Sequence, residues 1–97
     1  MSKPKILIVD DSQLNRELLA CMLEDNYDIC EAENGEQAVE ILERCHKDFK
    51  LVLLDLIMPV MDGYQVLAVM KAKQWLDMLP VICISSETSG DSIRRVY

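Results

Sequence analysis

Three aspartates, Asp10, Asp11 and Asp55, follow or close two short apolar runs of the chain. The runs are residues 5–9 and 51–54, and their nearly continuous apolar character is typical of strands buried on both faces of a sheet. In an open α/β sheet, ligands bind just outside the carboxyl ends of the strands, so parallel neighbours would bring the three carboxylates together. Three like charges at one spot destabilise a fold unless a cation joins them. We therefore predict a site for Mg²⁺, or for Mn²⁺, built from carboxylate oxygens.

The elements that must position these aspartates are strands and helices that alternate along the chain with short connections. The predicted strands are residues 5–9, 28–32, 51–54 and 81–84. The predicted helices are residues 12–25, a segment that starts at Asn34, residues 63–73 and a last segment that begins near Asp91. This βαβαβαβ order predicts one α/β domain over residues 1–97, with a parallel sheet, right-handed crossovers and helices on both faces.

Two further features of the pattern concern packing. The first helix carries apolar residues at helical spacing, which predicts one buried face. These residues are Leu14, Leu18, Leu19, Met22 and Leu23. Trp75 lies in the connection before the last predicted strand, where we expect it to pack on the surface.

Composition excludes several classes of function. The formal net charge of −7 argues against a nucleic-acid surface, which would need a basic patch. The longest apolar runs are far shorter than the ~20 residues of a membrane helix, and the first residues do not resemble a signal peptide. The four cysteines form no Cys-x-x-Cys pair, which makes a zinc site improbable and favours a reduced, cytoplasmic protein. They are Cys21, Cys30, Cys45 and Cys83.

Several short motifs, each at the end of its predicted element, resemble those of the receiver domains of two-component response regulators. The matching residues are Asp10, Asp11, Asp55, Met58, Pro59, Asp62, Gly63 and Ser85. The resemblance covers essentially the whole chain. It implies a flavodoxin-like, three-layer, doubly wound fold with a parallel sheet of strand order 2-1-3-4.

The resemblance also implies a role for each site residue. Asp55 would be the phospho-acceptor, which takes a phosphoryl group from the histidine of a sensor kinase or phosphotransfer protein. Asp11 would ligate Mg²⁺ directly, Asp10 largely through a water, and the backbone carbonyl of Ile57 would supply another oxygen. Ser85 would be the hydroxyl that moves to the phosphoryl oxygen. The other neighbours of the phosphoryl group would be Met58, Pro59, Ser86 and Glu87.

The implied function is that of a signal receiver in a two-component phosphorelay. Its activity as an enzyme would be limited to Mg²⁺-dependent self-phosphorylation and slow self-dephosphorylation. Aspartyl phosphate would change the surface around Ser85 and a fourth helix, which a downstream output domain or effector reads. An apolar Ile57 would slow hydrolysis by excluding water.

The sequence departs from the family pattern after its fourth strand. Receiver domains continue with a fifth strand that carries a lysine, and then a final helix, whereas the last lysine here is Lys73. We therefore expect a receiver without its fifth strand, that lysine and the final helix, ending in helix four. Strand four would be an uncovered edge, open to homodimerisation there or through helix four, and the phosphorylation switch would be weakened.

Two other classes of function were compared with this one. A receiver-like interaction or dimerisation module without phosphorylation switching fits the missing lysine, although the complete aspartate trio argues against it. A haloacid-dehalogenase-type phosphatase would need a second acid where Ile57 stands. A flavodoxin-type phosphate loop would need Ser, Thr and Gly after the first strand, where Asp10 and Asp11 would repel phosphate.

Overall fold

Strands and helices alternate along most of the chain, as the sequence pattern predicts. The computed structural model describes residues 3–58, 60–84 and 93–95. The strands are β1 (Lys5–Val9), β2 (Asp28–Ala32), β3 (Phe49–Asp55), β4 (Val81–Ile84) and β5 (Ile93–Arg95). The helices are α1 (Gln13–Leu23), α2 (Gly35–Cys45) and α3 (Gly63–Ala72), with 3₁₀ turns at His46–Asp48 and Trp75–Asp77.

The sheet has the order β2-β1-β3-β4-β5, and its first four strands are parallel. This confirms the predicted 2-1-3-4 order and the doubly wound α/β class. Val9 of β1 pairs with Leu54 of β3, so the residues that follow them, Asp10 and Asp55, lie at the same level of the sheet. The register therefore brings the two strand ends to one edge, where ligands bind in this class of fold.

The prediction of a last helix beginning near Asp91 is wrong for Ile93–Arg95, which form β5, antiparallel to β4. The predicted fourth helix is therefore corrected over these three residues, whereas β5 is not the lysine-bearing fifth strand of the family pattern, because it is antiparallel and contains no lysine. A helix has a costly nucleus, and a few apolar residues at helical spacing do not offset that cost. The edge of β4 instead offers a row of backbone donors and acceptors, and the short segment Ile93–Arg95 pairs with it.

Because β5 covers β4, the edge proposed for homodimerisation is not open along its paired residues. The pairs are Ile82 with Arg95, Cys83 with Arg94 and Ile84 with Ile93. The predicted strand-to-strand dimer through β4 is corrected accordingly.

Helices cover both faces of the sheet, and the two faces differ in how well they are covered. On one face α2 and α3 bury Leu42, Val66 and Met70 against alternate residues of the strands. On the other face α1 packs more thinly, through Leu19 and Leu23. This alternation produces the three predicted layers.

The predicted buried face of α1 is only partly correct. Leu14, Leu18 and Met22 are 65%, 55% and 75% exposed, and none of the residues of α1 is fully buried. Leu14, Leu18 and Met22 are spaced four residues apart and form one exposed stripe, whereas Leu19 and Leu23, with Ala20, pack against the sheet. The sequence marks these residues as apolar, but it does not show which of them a neighbouring element covers.

Each helix begins at a residue whose side chain accepts a hydrogen bond from the first turn. Ser12 accepts from the backbone N–H of Asn15, and Asn34 accepts from that of Gln37. Asp62 forms a complete capping box at the start of α3. These caps satisfy backbone donors that the helices leave unpaired, and they fix where each helix starts beside the strand ends.

The prediction for Trp75 is also corrected, because its side chain is 7% exposed and lies in the larger core. It stacks on His46, with ring centroids 5.1 Å apart.

Burial raises the pKa of the Cys83 and Cys30 thiols, which keeps them neutral in the sheet. All four cysteines are free thiols. Among the described residues, each helix is too short or too polar to cross a bilayer.

Candidate functional site

Asp10, Asp11 and Asp55 meet at the carboxyl edge of the sheet. Each offers a carboxylate oxygen, and these oxygens lie within 4.8 Å of one another. Asp10 and Asp55 are 3% and 1% exposed, whereas Asp11 is open to solvent. The structure thus brings together the carboxylates that the sequence analysis placed at the strand ends.

Asp10 is held in place by the chain that follows it. Its Oδ1 accepts a hydrogen bond of 2.9 Å from the Ser12 backbone, and its Oδ2 accepts one of 3.4 Å from the Asn15 side-chain amide. Its own backbone N–H donates to the carbonyl of Ala32, the last residue of β2, at 3.1 Å. A buried carboxylate requires such donors, so Asp10 is oriented before any ligand arrives.

Asp55 closes β3, and its flanks are fixed by backbone hydrogen bonds. The Ile57 N–H donates to Asp55 Oδ1 at 3.1 Å. The Leu56 N–H donates to the carbonyl of Ile84 at 3.0 Å, which extends the pairing with β4. The carboxylate is therefore positioned by the first residues of the loop.

Gly63 allows this loop to lie close to the strand end. A Cβ at this position would sit 2.6 Å from the Asp55 carbonyl oxygen and 2.7 Å from the Leu56 Cα. The Gly63 N–H also donates to the Leu56 carbonyl at 3.2 Å. Backbone atoms cannot yield as a flexible side chain can, so a side chain here would displace the Asp55 segment.

Asp11 differs from its two neighbours. Within the described part of the chain, its carboxylate has no hydrogen-bond donor from the protein. It is exposed, so its lone pairs are directed to solvent or to a ligand rather than to the fold.

The donor set fits a small divalent cation. Oxygens around an octahedral Mg²⁺ at ~2.1 Å lie about 3 Å apart when adjacent and about 4 Å apart when opposite. The carboxylate oxygens within 4.8 Å of one another match that spacing after small side-chain movements. Hard oxygen ligands with a high local negative charge are the set that Mg²⁺ and Mn²⁺ prefer.

Two residues that sequence reasoning missed support the site. Arg16 donates from Nη1 to the Asp10 carbonyl at 2.6 Å and from Nε to Glu31 Oε1 at 2.9 Å. Asn15 donates to Asp10, as described above. Both residues lie within a turn and a half after Asp10 and Asp11. A polar side chain at that distance can reach back to Asp10, so the sequence alone could have indicated Asn15 as its partner. The bond from Arg16 to Glu31 forms because β2 lies beside β1, and the sequence around Arg16 does not indicate that pairing.

The remaining predicted site residues fall in two groups. The Ile57 side chain is 46% exposed, and Met58 is buried beside it in the loop. Four others lie outside the described residues: Pro59, Ser85, Ser86 and Glu87.

Known proteins share this arrangement of elements. The model of the family described as response regulator receiver domain matches residues 6–97. A two-component response regulator of Oryza sativa subsp. japonica is 33% identical over 98 residues, which cover the whole of this chain and 80% of that protein. The transcriptional regulatory protein ResD of Bacillus subtilis (strain 168) is 38% identical over 96 residues. That match covers 98% of this chain and 37% of ResD.

A solved structure agrees with these matches. The response regulator protein TrrA from Thermotoga maritima, in complex with Mg²⁺-BeF, has a TM-score of 0.77 to this chain and 34% sequence identity. The likeness covers 88% of this chain and 71% of that one.

Proposed function

This chain belongs to the response regulator receiver domain family, and on that premise we propose that it receives its signal as a phosphoryl group on Asp55. The observation that carries the proposal is the meeting of Asp55 with Asp10 and Asp11 at the carboxyl edge of the sheet. Asp55 is a buried carboxylate that its own loop orients. It has two acidic neighbours suited to hold a cation beside it.

In the proposed transfer, a carboxylate oxygen of Asp55 forms a bond to phosphorus, and the bond between phosphorus and the donor's histidine nitrogen breaks. The electron pair of that bond stays on the imidazole nitrogen, which takes a proton from water. The product is an aspartyl phosphate, whose phosphoryl group carries up to two negative charges in place of the single charge of the carboxylate, so the edge of the sheet gains about one net charge. Little covalent chemistry is asked of the protein, so its contribution is positioning and charge.

Asp10, Asp11, Asp55 and the backbone carbonyl of Ile57 are the groups that would hold Mg²⁺ or Mn²⁺. When bound, the cation would neutralise charge that builds up between the attacking carboxylate and the phosphoryl oxygens. Asp10 is preorganised by Ser12 and Asn15, while Asp11 keeps its lone pairs for the cation. The predicted distinction, with Asp11 as the direct ligand and Asp10 acting through a water, agrees with the exposure of Asp11.

The proposed partners follow from this chemistry. A sensor histidine kinase or phosphotransfer protein supplies the phosphoryl group, and an output domain or effector reads the change. We propose that Ser85, with Ser86 and Glu87 beside it, responds to the new charge. The four free thiols support a reducing, cytoplasmic compartment.

The alternative, an interaction module that does not respond to phosphate, is supported by the exposed stripe on α1. It does not explain why a buried carboxylate is oriented beside two others. Three clustered acids with no role in binding a cation or a phosphoryl group would only destabilise the fold. We therefore favour the function of a phosphorylated receiver.

Beryllofluoride binding tests the proposal, because this phosphoryl mimic requires both the acceptor carboxylate and the cation. It is the group that the TrrA structure holds with Mg²⁺. Isothermal titration with beryllofluoride should show saturable binding in the presence of Mg²⁺ and none in its absence. Asp55→Asn should bind none in either condition. Binding by Asp55→Asn equal to that of the wild type would contradict the assignment of the acceptor.

A further inference from the structure

A pocket of about 380 Å³ lies at the amino-terminal ends of β3 and β4, the opposite end of the sheet from the three aspartates. Phe49, at the start of β3, lines it, and Asp55 ends the same strand six residues later. At the rise of a strand, these ends are about 20 Å apart. The pocket therefore takes no part in the chemistry proposed above, and its volume lies in the range of small-ligand sites.

The floor of the pocket is apolar and aromatic. Phe49, Trp75 and Leu79 line it, and each is buried to more than nine-tenths. His46 stacks on Trp75 at 5.1 Å, and its Nδ1–H donates to the Leu42 carbonyl at 3.0 Å, which fixes the ring. A rigid aromatic wall of this kind suits the flat face of a planar ligand.

The rim of the pocket is cationic. Lys47, Lys50 and Lys73 line it, and the described lining contains no aspartate or glutamate. This concentration is notable in a chain with a formal net charge of −7. Lys73 has one acidic neighbour, Glu43, at 3.7 Å, but both side chains are half exposed, so that pair is weak and its ammonium can bind elsewhere.

Helix ends do not account for the whole rim. Cations are favoured near the carboxyl ends of helices, which explains His46 after α2 and Lys73 after α3. Lys50 lies on β3 and has no helix end to complement. Like charges around one cavity repel, and an anion between them relieves that repulsion.

The backbone at the rim is strained. Gln74, which also lines the pocket, has φ 64° and ψ 19°, the left-handed conformation that usually takes glycine after a helix. The same residue places a side-chain amide, which is both donor and acceptor, at the rim of the cavity.

We propose that this pocket is a second binding site, for a small ligand with a planar aromatic ring and an anionic group, of the chemical class of a nucleoside monophosphate. The ring packs against the Trp75–Phe49 floor, and the anion is held by Lys50 and Lys73. The site is independent of Asp55 and of the proposed phosphorylation.

Adenosine monophosphate is the probe, and the emission of Trp75, the only tryptophan of the chain, is the readout. The titration is done without Mg²⁺, so that the aspartate cluster does not recruit the phosphate. Wild-type protein should show a saturable change with a Kd below about 10 mM. Adenosine should bind several times more weakly, and inorganic phosphate should leave the emission unchanged.

Two lysine variants distinguish specific binding in the pocket from general attraction of the anion to positive charge on the protein. Lys50→Gln should weaken binding by at least about threefold, the scale of one exposed charge contact. Lys71→Gln removes an equal charge from α3 outside the pocket and should bind like the wild type. The proposal is overturned by the absence of a saturable change, by equal affinity for adenosine, or by equal weakening in both variants. Circular dichroism of both variants checks that the fold is retained.

Discussion

Asp11 is the residue whose exposure best fits direct contact with a cation, because its neighbours Asp10 and Asp55 are buried and hydrogen-bonded within the fold. Replacing Asp11 by Asn keeps its shape and removes the charge. We expect Asp11→Asn to weaken Mg²⁺ binding by at least tenfold, about 1.4 kcal/mol, in isothermal titration.

The matched control for this prediction is Asp62→Asn, which removes one charge from the neighbouring loop. Asn caps helices as well as Asp does, so the start of α3 should persist. Equal Mg²⁺ affinities of the two variants would count against a direct role for Asp11.

The lifetime of the phosphoryl group is a second property that we expect a single residue, Ile57, to affect. Its backbone N–H donates to Asp55 Oδ1, and its side chain is 46% exposed. We expect Ile57→Asn to shorten the half-life of the aspartyl phosphate, because a polar side chain admits and orients water. Decay of the phosphorylated protein, followed by mass spectrometry after removal of the donor, measures it.

Val60→Asn is the control for Ile57. Val60 is an exposed β-branched residue of the same loop, at φ 71°, a conformation that Asn tolerates. The half-life of the aspartyl phosphate in Val60→Asn should match that of the wild type. A lifetime that does not shorten in Ile57→Asn would refute the water-exclusion argument.

At the scale of elements, Arg16 links α1 to the sheet in addition to the apolar contacts of that helix. Arg16 bridges the carbonyl of Asp10 after β1 and Glu31 of β2, and its side chain is 12% exposed. We expect Arg16→Met to lower the free energy of unfolding by about 1–2 kcal/mol in urea, because the part-buried carbonyl of Asp10 loses its donor, while the exposed bond to Glu31 contributes little. Arg44→Met, an exposed change in the last turn of α2, should cost far less, and equal losses would contradict the bridge.

The exposed face of α1 lies on the helix that directly follows Asp10 and Asp11 in the chain. Leu14, Leu18 and Met22 form a stripe on a helix that begins two residues after Asp11. A donor protein that reaches Asp55 has this apolar stripe beside it, so we expect α1 to contribute to docking. Leu18→Asp should slow phosphoryl transfer from a donor protein by at least about fivefold, while acetyl phosphate labels it at the wild-type rate.

Met78→Asp is the control, since Met78 is a similarly exposed apolar residue at the other end of the sheet. It should not affect transfer from the donor protein. Equal slowing with both donors in Leu18→Asp would indicate damage to the site instead of lost docking.

At the scale of the whole molecule, the sequence predicts those features that depend on long, strong patterns. The alternation of buried strands and helices predicts the parallel sheet, the family resemblance supplies its order 2-1-3-4, and the strand-end rule brings Asp10 and Asp55 to one edge. The features that the sequence does not predict depend on contacts between residues distant in the chain. Ile93–Arg95 form a strand because β4 offers an edge, and Trp75 is buried because it packs in the larger core and stacks on His46.

The central claim is that Asp55 accepts a phosphoryl group with the help of a divalent cation. The most direct measurement is the intact mass of the protein after incubation with acetyl phosphate and Mg²⁺. The account predicts a mass increase of one phosphoryl group that disappears when Mg²⁺ is removed by chelation and in Asp55→Asn. An unchanged wild-type mass, or the same increase in Asp55→Asn, would contradict it.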